Sequence, residues 1–144
     1  DAAVLAGSGA KLAVFEGLRT YLAEDFDRAI DFLHGEDRLF HDPDETVLER
    51  SEAGMRAAGR AVTERDFLSC HTFDVRDRLD AIDVSLLALV GEYDGLTPPN
   101  YHEYYVEHVP AAELAVVEDA AHLAMIERPT AFNAAVAEFL ESRQ

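Results

Sequence analysis

At 144 residues the chain has the length of one ordinary domain, and an apolar content of 49% is enough for a core. Twenty-nine acidic residues against 12 basic ones give a formal charge of −17, which argues strongly against nucleic acid as a partner. No run of about eighteen apolar residues exists, so no membrane span is expected. The opening DAAVLAGSGA lacks the basic start and long apolar region of a signal peptide.

The single cysteine, Cys70, excludes an internal disulfide framework and fits a reducing, cytoplasmic setting, and it is expected to be buried rather than reactive. No CxxC or HExxH spacing occurs, so neither a metal site nor a cofactor is expected.

Ala2–Ala6 is a short apolar run ended by Gly7-Ser8-Gly9, a buried strand delivered to a turn. It starts at the first residue with no preceding loop, so the chain is expected to begin inside a domain. From Lys11 to Asp83 no convincing strand is found. Leu12, Phe15, Leu18 and Leu22 form one helical stripe, and Phe26, Ala29, Ile30 and Leu33 form another. Asp25 is placed to cap the second stripe and Gly35 to stop it. Asp42-Pro43-Asp44-Glu45 opens a third helix with Asp42 as its cap, and Thr63–Asp66 is placed to cap a fourth.

Val84–Val90 is an apolar run suited to a strand buried on both faces, and Gly91, Asp94-Gly95 and Thr97-Pro98-Pro99 turn it into a new helix. That helix spans Pro98–His108, with Thr97 as its cap. Ala112–Glu118 is a third buried strand with exit loop Asp119–His122, and Thr130–Ser142 closes the chain as an amphipathic helix. Strand, helix, strand and helix in this order predict an α/β fold on a parallel sheet.

Asp94 and His122 each follow a buried strand at its carboxyl end, where ligands and chemistry gather in open parallel sheets. They stand 28 positions apart. Neighbouring strands would set the two loops side by side, within reach of an Asp–His hydrogen bond that fixes the imidazole tautomer and stabilises its protonated form.

The runs Gly91-Glu92-Tyr93-Asp94-Gly95-Leu96-Thr97-Pro98, Glu118-Asp119-Ala120-Ala121-His122 and Glu127-Arg128-Pro129-Thr130-Ala131-Phe132-Asn133 resemble the C-terminal part of an α/β-hydrolase. So do the lead-in Arg78–Val84 and the closing Phe139-Leu140. One departure is Ala121, where the family usually has glycine before its histidine. The resemblance implies residues 1–10 as a strand of the hydrolase core, 11–83 as a helical cap or lid insertion, and 84–144 as the C-terminal α/β part. It also implies a Ser–Asp–His triad, to which this chain would supply Asp94 as acid and His122 as base. Some members place the acid after the sixth strand; here that loop holds no carboxylate before Glu16, which favours Asp94.

The nucleophile belongs on a Gly-X-Ser-X-Gly elbow, which Ala6-Gly7-Ser8-Gly9-Ala10 only imitates. In the family the elbow's helix leads to a further strand before the cap, and none follows here. Ser8 therefore reads as the end of the sixth strand, with the elbow and oxyanion loop expected upstream of Asp1. The function expected is a serine-type hydrolase of an ester, lactone or similar small-molecule acyl substrate. With aspartate on the elbow, the same Asp94–His122 pair would serve a dehalogenase or epoxide hydrolase; a cofactor-free haloperoxidase or acyltransferase is also compatible. A reading of another class is a non-catalytic interaction fragment, in which the open first strand pairs with a second copy or with the missing N-terminal half.

Other side chains have blander readings. Thr97, Pro98 and Pro99 read as helix-start residues, and His102 and His108, six apart on one helix, do not share a face. His34, His41 and His71 read as surface or pocket-edge residues. Phe15, Leu18, Phe26, Phe67 and Phe73 read as core of the cap, although such caps also line apolar pockets. A single lysine beside eleven arginines, with dense carboxylates, is similar to proteins of salt-loving archaea, and a brine-adapted acidic surface is expected.

Overall fold

A computed structural model describes residues 1–143. Three strands, β1 (Ala2–Ala6), β2 (Ser85–Gly91) and β3 (Ala112–Val117), form one parallel sheet in that order. β2 is the middle strand, with Ala88 aligned to Leu5 on one side and to Leu114 on the other. Both its edges are hydrogen-bonded, so its uncharged sequence SLLALVG can be buried without orphaned backbone groups. Alternation sends Leu86 and Ala88 to one face, against Tyr105 and Val109 at and beyond the end of α5 (Pro99–His108). Leu87 and Leu89 go to the other face, against Phe139 of α7 (Pro129–Glu141). Each fully buried leucine contributes roughly 1.5–3 kcal/mol, which makes β2 the fixed point of the fold.

Between β1 and β2 the chain forms α1 (Glu16–Glu24), α2 (Phe26–Leu33), α3 (Glu45–Ala58), α4 (Arg60–Thr72) and a 3-10 turn over Arg76–Ala81. A four-residue helix, α6 (Ala124–Glu127), precedes α7. No helix among the described residues is long and apolar enough to cross a membrane.

Several helix starts differ from the sequence reading. Lys11–Phe15 is not helical, because Leu12 N–H donates to Phe73 O (3.1 Å) and Val14 N–H to His71 Nδ1 (3.1 Å). The end of α4 holds this backbone, and α1 begins only at Glu16. α3 is capped by Asp44, whose carboxylate accepts from Val47 N–H at 2.9 Å, so Pro43 precedes the cap instead of filling the first turn. Thr63 lies inside α4 and back-bonds to Gly59 O at 3.0 Å; the break falls at Gly59, where φ is +83°. Asp25 caps α2 as read, accepting from Arg28 N–H at 3.2 Å.

The helical stretch has its own core of Leu18, Leu22, Ala29, Leu33, Leu39 and Phe40. Leu96, after β2, and Leu123, after β3, pack into it. The loops at the carboxyl ends of the strands are thereby pinned from above.

Candidate active site

Asp94 sits in the turn that ends β2, its N–H donating to Gly91 O at 3.1 Å, and it is only 2% exposed. A buried carboxylate must have its lone pairs satisfied, and this one does. Oδ1 accepts from Leu96 N–H (2.9 Å) and Thr97 N–H (2.8 Å), while Oδ2 accepts the Thr97 hydroxyl at 2.9 Å. The remaining approach to Oδ2 is taken by His122 Nδ1 at 3.0 Å.

The two residues singled out from sequence are therefore in direct contact. Because a carboxylate only accepts, Nδ1 carries the imidazole proton, and Nε2 is left with its lone pair. That nitrogen has no hydrogen-bond partner among the described residues. Thr97 is not the cap of α5; Pro98 holds that position, and the Thr97 hydroxyl is spent on Asp94, 3.2 Å from His122 Nδ1. The sequence signal for this was the Asp-X-X-Thr spacing, which lets one carboxylate bond both the N–H and the hydroxyl three residues on.

Glycines shape the floor. A Cβ on Gly91 would lie 2.1 Å from Ala121 O, so only glycine lets β2 pass this close to the loop that carries His122. Gly7 has φ +54°, and a Cβ there would meet the His122 ring at 3.1 Å. Ser8 N–H, just after β1, donates to His102 Nε2 at 2.9 Å. His102 is fully buried, Nδ1 donating to Pro98 O at 3.3 Å, and burial holds its pKa below the ordinary value. It is a structural tie between β1 and α5. The Ser8 hydroxyl has the Tyr105 hydroxyl as its partner, at 3.4 Å, rather than His122.

The roof comes from residues that sequence reasoning missed. Gly95 N–H donates to Asp37 O (2.8 Å), His122 N–H to Arg38 O (3.2 Å) and Leu123 N–H to Leu39 O (2.9 Å). Three successive carbonyls thus hold the loops of both Asp94 and His122. Glu127 adds a second clasp: Oε2 accepts from Ala121 N–H (2.7 Å), and Oε1 from His41 N–H (2.8 Å) and Asp42 N–H (3.0 Å). No local pattern marks Asp37–Leu39, since backbone carbonyls carry no sequence signature. Nearby, His41 stacks on Tyr93 with ring centroids 3.8 Å apart, and its hydrogen bond to Asp37 raises its pKa above the ordinary value.

A cavity of about 450 Å³ opens beside the His122 ring, with walls that include Leu12, Phe15, Phe32, Phe67, Leu96 and Tyr101. Phe15 and Phe67, read as cap core, line this space, and Phe15 is 62% exposed. Cys70, expected to be buried, is exposed and stands on the same wall. A hydrogen-bonded acid–base pair beside an apolar cavity at the carboxyl edge of a parallel sheet is the arrangement of an α/β-hydrolase.

No family model matches the chain. A solved thermophilic esterase superposes with a TM-score of 0.88 at 32% identity, over 98% of this chain and 56% of that one. A bromoperoxidase from Bacillus anthracis gives 0.86 at 18% identity, over 98% of this chain and 58% of its own, which speaks to the fold alone. The chain has the α/β-hydrolase fold. Among curated proteins, the pimeloyl-[acyl-carrier protein] methyl ester esterase of Neisseria meningitidis serogroup C is 32% identical over 106 residues, and 3-oxoadipate enol-lactonase 2 of Acinetobacter baylyi is 36% identical over 100. These matches take in 72% and 69% of this chain but 41% and 33% of those proteins, so the chain spans half or less of their length.

Proposed function

We propose that this chain supplies the acid and the base of a hydrolase acting on an ester or lactone, with Asp94 as the orienting acid and His122 as the general base. The observation that carries the reading is the 3.0 Å contact between Asp94 Oδ2 and His122 Nδ1, which leaves Nε2 free beside an apolar cavity. In the proposed cycle Nε2 takes the proton of a serine hydroxyl as it attacks the acyl carbon, and Asp94 stabilises the imidazolium that forms. His122 then gives that proton to the departing alcohol and activates water to release the acid. The serine and its oxyanion donors are assigned to a part of the fold outside residues 1–144, because the Ser8 hydroxyl faces Tyr105.

The similar proteins named as a methyl ester esterase and an enol-lactonase support acyl chemistry over dehalogenation or epoxide opening. Residues 11–83 act as the cap that closes over the bound acyl group. β1 is paired with β2 on one edge only, and the other edge is assigned to the remainder of the hydrolase sheet. The test is hydrolysis of p-nitrophenyl butyrate by the full-length protein carrying these residues. His122→Ala is expected to lower kcat by about 10⁴-fold or more; a loss under tenfold would overturn the assignment.

A further inference from the structure

The cavity beside His122 has a charge unlike that of the rest of the molecule. The chain carries 29 acidic residues and a net −17, yet the cavity wall includes no aspartate, no glutamate and no lysine. Its one formal charge is Arg38. We propose that Arg38 makes this cavity selective for acyl substrates that bear a carboxylate away from the ester or lactone linkage. The inference rests on the ester-hydrolase reading above and adds to it a substrate class.

Arg38 is held in place by three contacts. Its carbonyl accepts from His122 N–H at 3.2 Å, so the residue stands directly against the proposed base. Its guanidinium carbon lies 3.7 Å over the Phe32 ring, and Nη1 donates to Phe32 O. With one face on an aromatic ring and one nitrogen bonded, Nε and Nη2 remain without partners among the described residues. A planar fork fixed in this way matches a carboxylate bidentately and loses little freedom on binding it.

The acids that could neutralise Arg38 are engaged elsewhere or distant. Lys11, Arg56, Arg65, Arg76 and Arg143 each have a carboxylate within 4.0 Å, whereas Arg38, in the same acid-rich chain, has none among the described residues. An unpaired cation on an apolar wall attracts an anion far more strongly than it would in bulk water. One guanidinium balances one carboxylate, whereas a phosphate dianion calls for further cations that the wall does not supply.

The experiment compares monomethyl adipate with dimethyl adipate, substrates that differ only in the free carboxylate, using the full-length protein. A fluorophosphonate labelling reaction is run on the same samples. The wild type is expected to prefer the monoester by at least about tenfold in kcat/KM. Arg38→Gln is expected to cut that preference by about ten- to hundredfold, mainly through KM of the monoester. Arg38→Lys, which keeps the charge, should restore part of it. A labelled wild type with no preference for the monoester, or a labelled Arg38→Gln with the preference intact, overturns the carboxylate proposal while the hydrolase reading stands. A wild type that takes no label overturns both.

Discussion

Glu127 joins the strand-end loop that carries His122 to the helical layer above it, and replacing it by alanine tests how much that clasp matters. Three backbone N–H groups lose a charged acceptor in the variant: Ala121, His41 and Asp42. A hydrogen bond to a charged group is worth about 1.5–3 kcal/mol where water cannot replace it. Ala121 is buried, so its N–H counts in full; Asp42 is exposed and finds water, and His41 lies between. The expected loss is about 2–4 kcal/mol, read as a lower urea midpoint at unchanged slope. Glu127→Gln keeps one acceptor but turns an amide N–H₂ toward a backbone donor, so it should fall between the two. The released loop also carries His122, and kcat should therefore drop more than KM rises. A Glu127→Ala protein within about 0.5 kcal/mol of wild type, with kcat unchanged, would refute the reasoning.

Asp94→Asn should lower kcat by about 10³–10⁴-fold. The Leu96 and Thr97 N–H groups require an oxygen at the Oδ1 position, so the new amide nitrogen faces His122, imposes the wrong tautomer and occupies Nε2 with a proton; a loss under tenfold would contradict this. His102 has its pKa lowered by burial, so its contribution to stability is present above the ordinary value of 6.5 and is lost as pH falls through the lower folded value. His102→Gln should flatten the acid side of a stability profile measured by urea midpoints from about pH 8 down to about pH 5. His41 acts in the opposite sense, because the bond to Asp37 raises its pKa: what it contributes is present below 6.5 and fades as pH rises through the raised value. If the acidic composition is an adaptation to brine, the melting temperature should rise from dilute buffer to multi-molar KCl; no rise would remove that reading.

The sheet and the acid–base pair were legible in sequence because each depends on local signals. A seven-residue strand of leucine, alanine and valine, followed by a glycine and an aspartate turn, states both burial and a strand end. His122, two strands along, then needed only parallel neighbours to meet Asp94. The helix starts were less legible, since Asp42 and Asp44 both satisfy the chemistry of a cap, and tertiary packing selected Asp44. Thr97 was misread for a similar reason: a threonine before Pro-Pro is a good helix opener, and only the buried Asp94 beneath it claims its hydroxyl. The roof of Asp37, Arg38 and Leu39 carbonyls was invisible, because every residue but its side chain offers the same oxygen. Arg38 itself looked like one of eleven dispersed arginines until the fold placed it on a wall without other charge.

The central claim is that Asp94 and His122 exist to activate a serine that lies outside these 144 residues. Fluorophosphonate labelling of the full-length protein, followed by peptide mapping, tests it most directly. The account predicts one labelled serine, not Ser8, and loss of that labelling in His122→Ala. Label on Ser8, or labelling of His122→Ala at the wild-type rate, would contradict it.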